Sequence, residues 1–231
     1  MKKVLVLFLS LFCICLKGFS FEAELVEENK IQTRIDEIGT KILNANKLQK
    51  RIVFVYDKDA KKNILKGTKS LTKRQVVVYG EDYKFIEDDS ELAGYISREI
   101  ASAYRSYDGI FAGWLSSVKM KAAPKKYELI FDKLAIDFMV EAGYNPLGLI
   151  TFINKTCPQT RQDFISHKNL TSKRLAYIYE RIYKTYPYFL EKNEYIKNEH
   201  YQNFLLTSQE NRKRLEEQIK SKDFKKKVKY E

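Results

Sequence analysis

Glu91-Leu-Ala-Gly-Tyr-Ile-Ser-Arg98-Glu99-Ile-Ala-Ser102 is the stretch whose reading decides the fold. Leu92, Ile96, Ile100 and Ala103 recur at helical spacing, so one face of this segment is apolar. Asp88 precedes it, with Glu91 three positions later, which is the spacing of a capping box that starts a helix. The polar residues Arg98, Glu99 and Ser102 fall off the apolar stripe, one turn of helix separating the first from the last.

Outward from this helix the pattern changes on one side only. Toward the N-terminus, Arg51 to Tyr56 and Gln75 to Tyr79 are rich in β-branched and aromatic residues and predict strands. Tyr83 to Ile86 is a candidate for a short third strand. Before them, Leu25, Ile31, Ile35, Ile38 and Ile42 predict a first helix from Glu22 to about Asn46. Toward the C-terminus everything is helical. Lys125 to Glu141 places Phe131, Leu134, Ala135, Phe138 and Met139 inward, and Gly143 and Pro146 stop it. Leu147 to Lys155 predicts a short helix, Thr171 to Thr185 a longer one, and further helical segments follow Pro187. The expected fold class is therefore α+β: an N-terminal helix and a small sheet followed by a mainly helical half.

The second stretch that matters is Tyr127-Glu128-Leu-Ile-Phe-Asp132-Lys-Leu-Ala, followed by Glu141-Ala-Gly-Tyr-Asn-Pro146. Together the two stretches resemble the zinc metallopeptidase family of the CAAX prenyl proteases, the HtpX-like proteases and the periplasmic BepA-like proteases (peptidase family M forty-eight). That family carries Glu-Leu-Ala, then HExxH on one helix, then a Glu-x-x-x-Asp helix running into Ala-Gly-Tyr-Asp-Pro. The resemblance spans roughly residues 31–190 and implies a zincin-like metallopeptidase fold. It also implies roles: Glu99 matches the general base, Glu128 the third zinc ligand, and Asp132 the carboxylate that supports the site.

The two histidine positions of the motif are occupied by Arg98 and Ser102. Histidines at i and i+4 grip one zinc from a single helical face, and the Glu between them activates the metal-bound water. A guanidinium stays protonated and has no lone pair to offer, and a serine hydroxyl is a poor neutral ligand. No cofactor is thus expected, and proteolysis is expected to be lost; zinc belongs only to the rival reading of an active metalloendopeptidase with unusual ligands. Clustered carboxylates without a cation repel one another, so we expect an Arg98–Glu128 pair, shared with Glu99, to replace the metal electrostatically. The plainer alternative is that Arg98 and Ser102 solvate a helix face.

His167 lies in Ser166-His-Lys-Asn-Leu-Thr171-Ser-Lys-Arg174, which is similar to the family's Thr-His-Pro stretch before an Arg-containing helix, though the proline is absent. It is a cleft candidate on that basis. The family's Asn-Ala and Gly-Gly near its edge strand have no clear counterpart: Asn63 is the nearest, and no glycine pair precedes Val76. Cys157 has no sequence-neighbouring histidine and reads as a small apolar residue.

The chain has 231 residues and a formal charge of +12, which at first suggests a nucleic-acid binder. The location of the charge removes that reading. Residues 1–20 supply Lys2, Lys3 and Lys17 with no acids, around an uncharged run from Val4 to Leu16. This run is shorter than the roughly 20 residues that span a bilayer, so 1–20 reads as an export signal cleaved after Ser20, with an uncleaved anchor as the alternative. Residues 211–231 hold nine Lys or Arg against four acids, and the body 21–210 keeps only +4. Cys13 and Cys15 fall in the signal, leaving Cys157 alone and no intrachain disulfide.

The organisation expected is a signal at 1–20, a single metallopeptidase-like domain over 21–206 and a basic tail, helical or frayed, over 207–231. The function expected is that of an exported pseudopeptidase, periplasmic or secreted, that binds an envelope protein or peptide in the remnant cleft. A surface-binding protein whose tail meets anionic lipid or polyanion is the other rival.

Overall fold

A computed structural model describes residues 25–59, 75–106, 124–157, 171–221 and 227–230. Helix α1 covers 25–45. It is followed by strands β1 (Val53–Asp57) and β2 (Gln75–Tyr79), the helical turn α2 (Gly80–Tyr83), and α3 (Asp89–Ser106). Then come α4 (Pro124–Glu141), α5 (Leu147–Thr156) and α6 (Thr171–Thr185). A turn of helix α7 (Tyr188–Glu191) leads to α8 (Glu199–Thr207) and α9 (Gln209–Ser221). The architecture is α+β and mostly helical, with a two-stranded parallel sheet.

The strands pair in the register Val53↔Gln75 through Asp57↔Tyr79. Their buried residues Phe54, Val76 and Val78 lie on one face, where Ile35, Ile38 and Ile42 of α1 and Leu92, Tyr95, Ile96 and Ile100 of α3 complete a first core. A second core joins Ala135, Ile136 and Met139 of α4 to α5, to Leu175, Ile178 and Ile182 of α6, and to Tyr201 and Phe204 of α8. Tyr144, after α4, packs against both. The expected third strand at Tyr83–Ile86 is not one. The chain turns helical at Gly80, and Tyr83 is held by the Arg34 guanidinium, which donates to its hydroxyl at 3.0 Å, and by edge contact with Tyr56. Its β-like composition reflects a half-buried aromatic surface, which packing used without a ladder.

Two glycines set the spacing of the helices around α3. Gly143 adopts φ +76 just past α4, the left-handed conformation that ends a helix, and the Gly143 N–H donates to Val140 O at 2.9 Å. Gly148 lets α5 meet the start of α3: a Cβ there would stand 2.7 Å from the Ser90 carbonyl carbon.

Candidate functional site

The first turn of α3 is fixed from both sides. The Asp88 carboxylate accepts from the Glu91 N–H at 2.8 Å, as a cap should, while the Glu91 carboxylate accepts from the Glu87 N–H at 2.8 Å, one residue earlier than a capping box requires. Glu91 is fully buried. Burial pushes its carboxyl upward, and Lys155 from the end of α5, donating at 2.7 and 3.0 Å, works against that rise. Tyr195 also donates its hydroxyl to Asp88 at 2.6 Å. The helix that carries Arg98 and Glu99 is thus anchored to the second core by a buried ion pair.

Two turns further along, α3 faces α4 and the start of α6. Glu128 and Asp132 lie at i and i+4 on α4, so both carboxylates face the same neighbours. Arg98 bridges them, its Nε donating to Asp132 Oδ1 at 2.6 Å and its Nη2 to Glu128 Oε2. Arg174, in the first turn of α6, clamps the same aspartate from the other side. Its Nε donates to Asp132 Oδ2 at 2.7 Å, its Nη2 to Oδ1 at 2.9 Å, and its Nη1 stands 3.8 Å from Glu128 Oε2.

Asp132 is 1% exposed, where an unpaired carboxylate would be costly. Burial alone would raise its pKa, but the Arg174 and Arg98 guanidiniums outweigh burial and hold the carboxyl below its ordinary value. For Arg98 the balance runs the same way: burial would discharge it, while Glu128, Asp132 and Glu99 keep it firmly protonated.

The expected Arg98–Glu128 pair is therefore present, but the carboxylate that shares Arg98 is Asp132 and not Glu99. Glu99 is half-buried, near enough to contribute to the fields at Arg98, Tyr79 and Tyr95. Ser102 follows one turn after Arg98 and is also half-buried. His167 and Asn63 lie outside the described residues. His200 stands apart in the first turn of α8, its ring 3.4 Å from Glu199. Cys157 packs against the second core at the end of α5.

Arg174 is the residue whose role the sequence did not disclose. The sequence offers it only as the arginine of the helix that follows the His167 stretch, with no partner assigned; in the structure it falls on the buried side of α6, 9% exposed, beside Thr171 and Leu175.

The donor set does not fit zinc. Glu128 and Asp132 are engaged by guanidiniums, and the remaining motif positions offer a protonated Arg98 and the Ser102 hydroxyl. Among the described residues, no three His, Cys, Asp or Glu side chains are grouped to hold a metal ion. None of the described helices is long and apolar enough to cross a membrane. No protein-family model, curated protein or solved structure matches the chain.

Proposed function

We propose that this chain is an exported protein of zincin-like metallopeptidase architecture in which two arginines have taken over the electrostatic work of a metal. It acts by binding an envelope protein partner through the remnant cleft, without peptide hydrolysis. The single observation that carries the reading is the cluster in which Arg98 and Arg174 share Asp132 and Glu128. Those carboxylates occupy the spacing of a Glu-x-x-x-Asp helix, and the guanidinium of Arg98 comes from the position of the first histidine in HExxH.

A divalent cation and a pair of guanidiniums can both neutralise two carboxylates in a partly dry site, but only the metal can bind a water and lower its pKa enough to make it a nucleophile. A cluster of fixed hydrogen-bonded charges keeps the helices in place and leaves Glu99 with no activated water to act on. The cleft is then a rigid surface for recognition.

Two measurements test this. The mature protein should leave unfolded casein intact, and Glu99→Gln should behave as the parent does. Casein cleavage that Glu99→Gln abolishes would make Glu99 a working base and overturn the reading. For partner binding, a photo-cross-linking residue at Ser102 should join the protein to one defined envelope protein in cells, whereas the same residue at Lys220 on α9 should not. Equal labelling from both positions, or none from Ser102, would remove the cleft as the binding surface.

A further inference from the structure

The open edge of β1 carries a side chain where another strand would lie. Successive residues of a strand direct their N–H and C=O groups to opposite edges. Phe54 O and the Tyr56 N–H are bonded to a side chain of α1, which marks 54 and 56 as the residues facing the outer edge and leaves 53, 55 and 57 to face β2. On that outer edge the Gln32 amide, reaching from α1, donates through Nε2 to Phe54 O at 3.1 Å. Its Oε1 accepts from the Tyr56 N–H at 2.7 Å.

This is the pattern a parallel neighbour would make. In a parallel ladder one residue donates to the residue before its partner and accepts from the residue after it; with Val55 as the partner, those are Phe54 and Tyr56. Asp36, one turn further along α1, accepts a second bond from the same Nε2 at 2.9 Å and fixes the amide plane. The far edge of the sheet is treated alike, since the Tyr95 hydroxyl donates to Val77 O at 3.2 Å. Among the described residues the sheet has two strands, so both edges would otherwise present free backbone groups.

We propose that Gln32 is a built-in strand surrogate that closes the β1 edge against pairing with a second copy of this chain. A β1 edge without it would be well suited to self-pairing. Val53, Phe54, Val55 and Tyr56 form a short, uncharged, β-branched and aromatic run with no proline, and Val53 is half exposed. Edge-to-edge pairing about a two-fold axis would be isologous, so the surface needs no other complementary patch.

The test uses the mature chain carrying Gln32→Ala, and also Gln32→Met, which keeps the stem's packing while removing both bonds. Sedimentation and amide exchange are read as concentration is raised. The parent should remain one chain in mass, with the Tyr56 amide protected throughout. Either folded variant should lose that protection when dilute, then regain it as the mass rises toward two chains. Adding Val53→Lys, which sets a charge on the edge, should return the variant to one chain. A folded Gln32 variant that stays one chain at every concentration would overturn the proposal. So would a dimer that Val53→Lys leaves intact, since its contact would lie elsewhere.

Discussion

Asp132 is the residue on which the cluster turns, because it is the most deeply buried of its charges. Removing a partner from a buried ion pair costs about 3–5 kcal/mol, since the remaining charge is left without compensation. Arg174 makes two bonds to Asp132 and is itself nearly buried, whereas Arg98 divides its bonds between Asp132 and the half-buried Glu128. Arg174→Ala should therefore approach the upper part of that range in urea unfolding. Arg98→Ala should cost less, about 1–3 kcal/mol, because Arg174 still satisfies the aspartate. An equal loss for both would contradict the geometry.

The same residue sets a pH dependence. Its folded pKa lies below the unfolded value of about 3.9, so its contribution is fully present above that value. The contribution is lost as pH falls through the lower folded pKa. Asp132→Asn should flatten the acid limb of the stability curve over that window, read as denaturation midpoint against pH.

At the scale of elements, the proposed metallopeptidase-like architecture requires α3 and α4 to keep the spacing of a metal site. Arg98→His combined with Ser102→His places two imidazoles one turn apart on α3, beside Glu128, which loses its hydrogen-bonded partner and keeps only the Arg174 contact at 3.8 Å. Calorimetric titration should then show zinc binding that the parent lacks; a folded double variant that takes up no zinc would count against the proposed registry of the two helices.

The basic C-terminal stretch makes a second prediction at this scale. Residues 209–221 form a helix whose Leu215 is buried, and Tyr230 returns to pack edge-on against Tyr177, its hydroxyl donating to Glu180 at 2.8 Å. Since α6 carries both Glu180 and Arg174, deleting residues 227–231 should lower the unfolding midpoint. The buried area of one tyrosine and a half-buried valine puts the loss at about 2–4 kcal/mol.

Much of this was legible locally. The stripe Leu92, Ile96 and Ile100 is fully buried as its period predicts, and Thr171–Thr185 is a helix over the expected residues. What a local pattern does not contain is the identity of a distant partner. The Arg174–Asp132 clamp and the Lys155–Glu91 pair join residues 42 and 64 positions apart, and the Gln32 amide meets a strand 22 and 24 residues on. Parallel pairing of β1 and β2 was equally hidden, because residue alternation is the same in either direction.

Across the whole molecule, charge falls into unlike parts: +3 in the first twenty residues, +5 in the last twenty-one and +4 over the body. Within that body the cluster of Arg98, Arg174, Asp132 and Glu128 is internal and compensated, and it joins α3, α4 and α6. The proposal that guanidiniums stand in for a metal is tested by elemental analysis of the purified protein. Far less than one zinc per chain is expected, unchanged by treatment with a chelator. One zinc per chain, with proteolysis that the chelator abolishes, would contradict the proposal.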